Sequence, residues 1–204
     1  MQVRTKAIVL SAFKYGDTSL IVKAFTASEG LKSYLLKGVL ASKKGKVKAA
    51  YFQPLTQLEI IAYHKNKGTL ESIRETKVSY HYQTLHADIA KNAMTLFLAE
   101  MLSNSIHEEE ANPSLFEFLE ASLQWFDTHD SIANFHIFLL LRLTKYLGFY
   151  PDVDNIDASY FDLLEGEFTD TPSLNPMLAD TNLDFFKTFL GINFDGIKSI
   201  KMNK

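Results

Sequence analysis

The feature that most constrains the fold is a change in hydrophobic period near residue 80. Before it, apolar residues follow the two-residue spacing of strands; within Ser19–Thr26, for example, Val22 and Ala24 share one side. Beyond it, apolar residues such as Ile89 and Ala93 recur at the spacing of one helix face. The chain therefore predicts an α+β protein with strands first and helices second, divided into residues 1–78 and 79–204.

The N-terminal part predicts five short strands with no long helix between them. Their expected bounds are Val3–Phe13, Ser19–Thr26, Leu31–Lys37, Leu55–His64 and Thr69–Val78. Five strands in so few residues favour a small closed or nearly closed barrel. The OB-fold is the commonest barrel of this size that binds nucleic acid, and an SH3-like barrel fits the strand count nearly as well.

The C-terminal part predicts helices with recognisable ends. Pro113 suits the first turn of a helix, Asp130-Ser131 can cap the next one, and Gly148 can stop it. The interior of that helix is apolar on nearly all sides, which predicts a place at the centre of a helical bundle. A hairpin or irregular cover is expected over 152–172, followed by a short helix over Asp180–Leu190.

The net charge of −3 hides two unlike halves. Residues 1–77 hold 14 Lys and Arg against 5 Asp and Glu, whereas residues 78–204 hold 7 against 19. A basic module attracts polyanions through its field and through counterion release. The alternative, a lysine-rich surface that only confers solubility, stays open on charge alone.

Lysines and aromatic residues interleave in the basic part. Lysine suits a row of phosphates, and exposed aromatic rings beside it can stack on single-stranded bases. The DNA-binding residues predicted on this ground are Lys32, Tyr34, Lys37, Lys43, Lys44, Lys46, Lys48, Lys65 and Lys67. Tyr51, Phe52 and Tyr63 belong to the same pattern, although Phe52 and Tyr63 can equally be barrel core.

The chain lacks the residue patterns that most enzymes and metal sites need. It has no cysteine, no phosphate-binding glycine loop, no nucleophile elbow and no His pair four residues apart. We expect no catalytic site, no cofactor and no metal. The longest apolar run, Ile137–Leu141, is too short to cross a bilayer, and no secretory signal is visible, so a cytoplasmic location is expected.

Two cations stand out in the acidic part. Arg142 and Lys145 lie three residues apart, on one face of a predicted helix. Such a pair can receive an acidic segment or a C-terminal carboxylate from a partner protein. The alternative is a local salt bridge with neighbouring acids.

A series of short motifs runs along roughly residues 4–152. They are Thr5-Lys6-Ala7-Ile8-Val9-Leu10, Lys14-Tyr15-Gly16-Asp17-Thr18-Ser19, Phe25-Thr26 with Glu29-Gly30, Lys37-Gly38 with the lysines to Lys48, Gln53-Pro54-Leu55, Leu58-Glu59, and Leu141-Arg142-Leu143 through Tyr146-Leu147-Gly148-Phe149-Tyr150-Pro151-Asp152. In their order and spacing these motifs resemble the RecO family of bacterial recombination mediators.

The resemblance implies an N-terminal OB-fold and a helical C-terminal domain. It implies binding of single- and double-stranded DNA, annealing of complementary strands, and action at the bacterial nucleoid. It also implies partnership with RecR and with the C-terminal tail of single-strand-binding protein, in order to help load RecA. The basic loop and Lys37 correspond to the DNA-facing surface, and a pocket beside Arg142 and Lys145 would suit the tail.

The chain departs from the family in two ways. Many members carry a zinc site that begins with Cys-x-x-Cys just after the Pro-Asp segment, and here Ile156 and Ser159 stand about there. A zinc-free variant held by packing is therefore expected. Compared with the family, the sequence is also expected to be short by one helical segment, as in a truncated or short relative. An RNA-binding or ribosome-associated OB protein and a protein–protein scaffold are the alternative functions.

Overall fold

The computed structural model describes residues 1–41, 46–65, 67, 70–107, 110–130 and 132–200. These residues form two compact units, Met1–His129 and Asp130–Lys204. The expected boundary after residue 78 separates strands from helices, whereas the compact units divide between His129 and Asp130. The difference arises because the first two helices pack with the strands.

The first unit contains the five predicted strands. They are β1 (Gln2–Tyr15), β2 (Ser19–Thr26), β3 (Gly30–Leu36), β4 (Gln57–Tyr63) and β5 (Ser72–Val78). The strands form one antiparallel sheet in the order β3-β2-β1-β4-β5. The prediction of five strands is confirmed, and most of their bounds agree within two or three residues.

Within the described residues, the two edges of this sheet meet at a parallel bridge between Tyr34 of β3 and Glu71, just before β5. The amide of Leu35 donates to the carbonyl of Glu71 at 2.9 Å, and the amide of Glu71 donates to that of Ser33 at 2.8 Å. The sheet is thus a partly open barrel. A parallel contact between the third and fifth strands fits the OB-fold better than an SH3-like barrel.

The barrel interior is built from the residues that alternate inward along each strand. Because successive side chains point to opposite faces, one set fills the core and the other forms the outer face. The buried inner set is Ala7, Val9, Val22, Ala24, Tyr34, Leu36, Val39, Phe52, Leu58, Ile60 and Ala62. Burial of this apolar surface stabilises the barrel at about 25 cal/mol per Å².

Two helices follow the strands in the same unit: α1 (Ile89–Ser105) and α2 (Pro113–Thr128). The side chain of Asp88 accepts a hydrogen bond from the amide of Lys91, and that of Asn112 accepts from the amide of Leu115. These contacts satisfy amides that a helix start otherwise leaves unpaired. Pro113 occupies the first turn, as its sequence position predicts.

The helices cover part of the outer face of the barrel. The ring of Phe25 on β2 lies 6.0 Å from that of Phe116 on α2. On the same strand, the Lys23 ammonium donates to the carbonyl of Ser103 in α1. On β4, the side-chain amide of Gln57 donates to the carbonyl of Glu120 at 3.1 Å. The remainder of the outer face stays open.

A buried carboxylate at the end of α2 binds the connector, which is the segment between β5 and α1. Asp127 accepts hydrogen bonds from the amides of Gln83, Thr84 and Leu85 at 2.8–3.1 Å. The ammonium of Lys91 on α1 donates to the Asp127 carbonyl at 2.8 Å and to the Thr84 hydroxyl at 2.6 Å. One joint therefore ties the connector and both helices together.

The second unit combines helices with a small sheet. Its elements are α3 (Phe135–Tyr146), β6 (Tyr160–Asp162), β7 (Glu167–Thr169), β8 (Met177–Leu178) and α4 (Asp180–Gly191). The predicted hairpin and the predicted short helix are confirmed. A buried cluster packs β6, β7 and α4 together, formed by Ala158, Phe161, Phe168, Leu183 and Leu190.

The third helix differs from its prediction. It begins at Phe135 rather than after Asp130-Ser131, and Ser131 lies outside the described residues. Its buried residues are Phe135, Phe138, Leu139 and Leu143, while Leu140 and Leu141 are half-buried. It therefore forms one side of a layered unit with α4 and is not the centre of a bundle. Gly148 follows its end with φ +82°, the left-handed conformation that glycine permits in a helix stop.

Replacing Asp127 with alanine should lower the free energy of unfolding by about 3 kcal/mol, because three amides, that of Leu85 buried and those of Gln83 and Thr84 partly buried, lose their acceptor. Burial opposes ionisation of this carboxyl, but the hydrogen bonds from Gln83, Thr84 and Leu85 outweigh burial and hold its pKa below the ordinary value. The stabilisation is therefore complete above the unfolded pKa of about 3.9 and is lost as the pH falls through the folded pKa. Urea denaturation between pH 3 and 7 measures both effects.

The matched control is Asp130→Asn, a change at an exposed carboxylate three residues away. It should leave the unfolding free energy within about 0.5 kcal/mol of the unchanged protein. An Asp127→Ala variant as stable as this control would contradict the role of the joint.

Candidate nucleic-acid interface

The open part of the outer barrel face carries an apolar row across three strands. Phe13 on β1 is opposite Ile21 on β2, and Ile21 is opposite Leu35 on β3. Residues directly opposite in antiparallel strands project to the same face, so these three side chains adjoin. Phe13 is 54% exposed, and the other two are half-buried. We call these three residues the barrel row.

A second row lies beside it towards the hairpin turns. Tyr15 is opposite Ser19, and Lys37 follows Leu35 by two residues at the end of β3. Tyr15 and Lys37 are exposed. An aromatic ring and a cation thus flank the barrel row, on the strand face and hairpin loops that OB-folds use to hold oligonucleotides.

A cleft of about 610 Å³ opens on the other side of Leu35. It lies between the segment after β3 and the start of β5. Its cationic lining residues are Lys37, Lys46, Lys65 and Arg74. Lys46 is paired with Glu75 at 2.8 Å, so that charge is partly compensated. The cleft places cations next to an apolar strip, the combination that phosphates and bases need together.

The structure sorts the predicted lysines into three groups. Lys37, Lys46 and Lys65 line the cleft, and Lys48 and Lys67 are exposed near it in sequence. Lys32 is opposite Ala24 on the inward-facing side of the strands and is half-buried. Lys43 and Lys44 lie outside the described residues.

The prediction of Tyr34 as a base-stacking residue is wrong. Its side chain has no exposed surface, because it points into the barrel core. Phe52 is also core, whereas Tyr63 is 43% exposed. Sequence reasoning missed Phe13, Tyr15, Ile21 and Leu35; strand alternation counted in register across β1, β2 and β3 would have placed them together.

Tyr34 belongs to a buried polar cluster next to the barrel bridge. Its hydroxyl lies 3.0 Å from Nε2 of His64, and Nδ1 of His64 lies 3.8 Å from the Glu29 carboxylate. Burial lowers the pKa of His64 and raises that of Tyr34, so both groups are neutral near pH 7. The Glu71 carboxylate accepts from the amide of Lys65 at 2.8 Å. The cluster thus fixes the backbone at Lys65, which lines the cleft.

Arg142 does not stand free for a partner's carboxylate, and that prediction needs correction. Its guanidinium donates to the Tyr150 hydroxyl at 3.2 Å and to the carbonyls of Leu190 and Ile192. Arg142 therefore links α3 to the end of α4, where a cation interacts favourably with carbonyls that have no hydrogen-bond partner within the helix. The local salt bridge also fails as an explanation, because these partners are uncharged. Lys145 is exposed.

The region where the family's zinc site begins is held by packing and by one carboxylate. Ile156 packs against the Phe161 cluster. The buried Asp162 accepts from the amides of Leu164 and Glu165, and from the side chains of Ser173 and Asn175, at 2.9–3.2 Å. Within the described ranges, no group of three His, Cys, Asp or Glu is placed to hold a metal ion.

The fold and its surface define the class: a five-stranded OB-type barrel with a basic, partly apolar open face, followed by helices. Two family models match, Recombination protein O N terminal over residues 1–82 and Recombination protein O C terminal over residues 86–204. The chain therefore belongs to the RecO family of DNA repair proteins. None of the helices in the described part of the chain is long and apolar enough to cross a membrane.

Several curated relatives carry the name DNA repair protein RecO. The protein from Christiangramia forsetii is 52% identical over 204 residues, which cover 100% of this chain and 85% of that one. The protein from Flavobacterium psychrophilum is 51% identical over 196 residues, covering 96% and 82%. The protein from Bacteroides fragilis is 42% identical over 180 residues, covering 87% and 73%.

Replacing Asp162 with alanine should loosen the two loops that its carboxylate joins. The amides of Leu164 and Glu165 would lose their acceptor, so their hydrogen exchange should accelerate by about tenfold or more. Exchange in the barrel strands should not change, which supplies an internal control. The matched variant Asp157→Ala removes an exposed carboxylate nearby and should leave both loops protected. Unchanged exchange at Leu164 and Glu165 would contradict the role of Asp162.

Proposed function

We propose that this RecO-family chain is a non-enzymatic mediator of DNA repair and homologous recombination. It binds single- and double-stranded DNA, anneals complementary strands, and helps load recombinase onto DNA coated with single-strand-binding protein. The observation that carries the proposal is the open barrel face, where the barrel row adjoins a cleft bordered by Lys37 and Lys65.

The surface chemistry favours a single strand as the primary ligand. Lysines hold phosphates without reading sequence, and exposed rings such as Phe13 and Tyr15 can stack on any base. Bases of a duplex are already stacked on each other, so duplex DNA would engage only the cations. The same surface thus supports tight binding of single strands and weaker, more salt-sensitive binding of duplex.

Annealing follows from charge screening. Two complementary strands repel each other through their phosphates, and a basic surface that holds one strand reduces the repulsion on the other. The balance of 14 basic against 5 acidic residues in positions 1–77 supplies the positive field. The acidic excess after residue 77 disfavours DNA there, which leaves that part for protein partners.

The proposed protein partners are RecR and the C-terminal tail of single-strand-binding protein, with RecA reached indirectly. The tail is acidic and apolar, so its site needs a cation beside an apolar surface. Lys145 is exposed near the end of α3, and Phe149 four residues later is also exposed. We place the tail at this pair. Arg142 supports the site indirectly, because its guanidinium links α3 to the carbonyls at the end of α4.

Reversing the charge of two cleft lysines should weaken DNA binding. The variant Lys37→Glu with Lys65→Glu should bind a labelled oligothymidine about tenfold or more weakly near 0.1 M salt, because phosphate contacts are lost. The slope of log affinity against log salt should flatten by about 0.7 per lost contact. Replacing Lys43, Lys44, Lys46 and Lys48 with Glu should also weaken DNA binding and flatten the salt slope. Fluorescence anisotropy across a salt series measures both quantities.

Phe13→Ala separates stacking from charge. It should lower affinity for the single strand by about 1–3 kcal/mol per base lost, without changing the salt slope. Lys198→Glu, an exposed change in the second unit, is the control for both variants and should bind normally. Full binding by the Lys37 and Lys65 double variant would contradict the site. Equal competition by RNA would favour the RNA-binding alternative.

Lys145→Glu should weaken binding of a labelled peptide with the sequence of the single-strand-binding protein tail. The expected loss is about fivefold or more, since a favourable charge pair becomes a repulsive one. Lys198→Glu serves again as the matched control, and DNA binding should be unaffected. Normal tail binding by the Lys145→Glu variant would place the tail elsewhere on the chain.

A further inference from the structure

The second unit displays leucines on two loops that a buried carboxylate fixes. Leu163 and Leu164 lie in the turn between β6 and β7, and Leu174 lies in the loop before β8. Leu164 is 72% exposed and Leu174 fully exposed. We call these three residues the leucine patch. Exposed apolar side chains on ordered loops are typical of protein interaction surfaces, because little entropy is lost on binding.

Asp162 holds both loops in place. It accepts from the amide of Leu164 and from the side chain of Asn175, which neighbours Leu174. The amide of Leu163 donates to the carbonyl of Pro176 at 3.0 Å, which ties the two loops a second time. The patch is therefore preorganised by contacts beneath it.

The chain segment that carries the leucine patch is acidic, and the ammonium of Lys187, the next cation along the chain, donates to the carbonyl of Ala158. From Tyr146 to Phe186 the sequence has nine Asp and Glu and no Lys, Arg or His. Glu165 and Glu167 adjoin the patch leucines and are exposed. A partner surface that fits must therefore be apolar at its centre and basic at its edge.

The barrel face of the first unit has that composition. Phe13, Ile21 and Leu35 form its apolar centre, and Lys37 and Lys65 stand at its edge. We propose that the leucine patch of one copy docks on the barrel row of a second copy of this chain. The contact joins two different surfaces, so it is heterologous and head-to-tail.

Such docking would compete with DNA, because it covers the surface assigned to DNA above. Self-association would then keep the barrel face covered, and single-stranded DNA would displace the second copy from it. The inference shares that surface with the proposed function but does not require DNA to bind there. The two are separated by measuring association and DNA binding independently.

Sedimentation velocity of the full chain tests the inference at about 5–200 µM, the range of weak interfaces. In low salt the sedimentation coefficient should rise with concentration. It should fall back with about 0.5 M salt, which screens the charge pairs, or with added oligothymidine. Leu163→Ser, Leu164→Ser and Leu174→Ser combined should weaken association about tenfold or more. Ile89→Ser, at an 89% exposed residue of α1, is the matched control and should associate normally.

A charge swap makes the test specific. Glu165→Lys with Glu167→Lys gives a basic patch, and Lys37→Glu with Lys65→Glu gives an acidic barrel edge. Neither variant should associate alone, but an equimolar mixture should, because each patch then meets a barrel edge of opposite sign. A contact within one chain would not be restored by mixing.

Two outcomes would overturn the inference: a monomer at every concentration in low salt, or a mixture of the charge-swap variants that does not associate. Urea denaturation of each variant verifies that it is folded. If the unchanged chain self-associates but does not bind oligothymidine, the proposed function fails and the self-association stands. If it binds oligothymidine and stays monomeric, the proposed function stands and the self-association fails.

Discussion

The carboxylate of Asp127 is the contact on which the arrangement of the first unit depends. It is buried at the end of α2, where it accepts from three amides of the connector, and Lys91 of α1 binds beside it. Both helices are thereby fixed to the segment that leaves the barrel. Because α1 and α2 then cover one part of the outer sheet, this joint also decides which part stays open. The candidate DNA surface is the part of the face that the helices do not reach.

The cleft beside that surface depends on how the barrel edges meet. Glu71 contributes its backbone to the bridge with β3 and its carboxylate to the amide of Lys65. The polar cluster of Tyr34 and His64 lies inside the barrel next to this bridge. Tyr34, whose ring suggested base stacking, therefore belongs to the buried cluster that adjoins the lysine-lined cleft. The backbone of Lys65 is thus held by the Glu71 carboxylate, whereas the ammonium of Lys46 is held by its own contact with Glu75.

Much of the local structure could be predicted, because it depends on neighbours in sequence. Alternation predicted the five strands, and Pro113 and Gly148 predicted where helices begin and end, since their backbone preferences are intrinsic. The start of α3 was misplaced because Asp130-Ser131 has the chemistry of a cap without its position. Tyr34 and Arg142 were misjudged for a similar reason: residue type shows what a side chain can do, and not which atoms surround it.

The sequence by itself determined the fold class, the family and the separation of basic from acidic residues. These are set by hydrophobic period, short motifs and charge, all of which can be read along the chain. Only the tertiary structure decided which aromatic rings face outward, which lysines share a cleft, and that Arg142 binds the carbonyls at the end of α4. The physical reason is strand register. Phe13, Ile21 and Leu35 become neighbours only when three strands pair, and pairing brings together residues that are far apart in sequence.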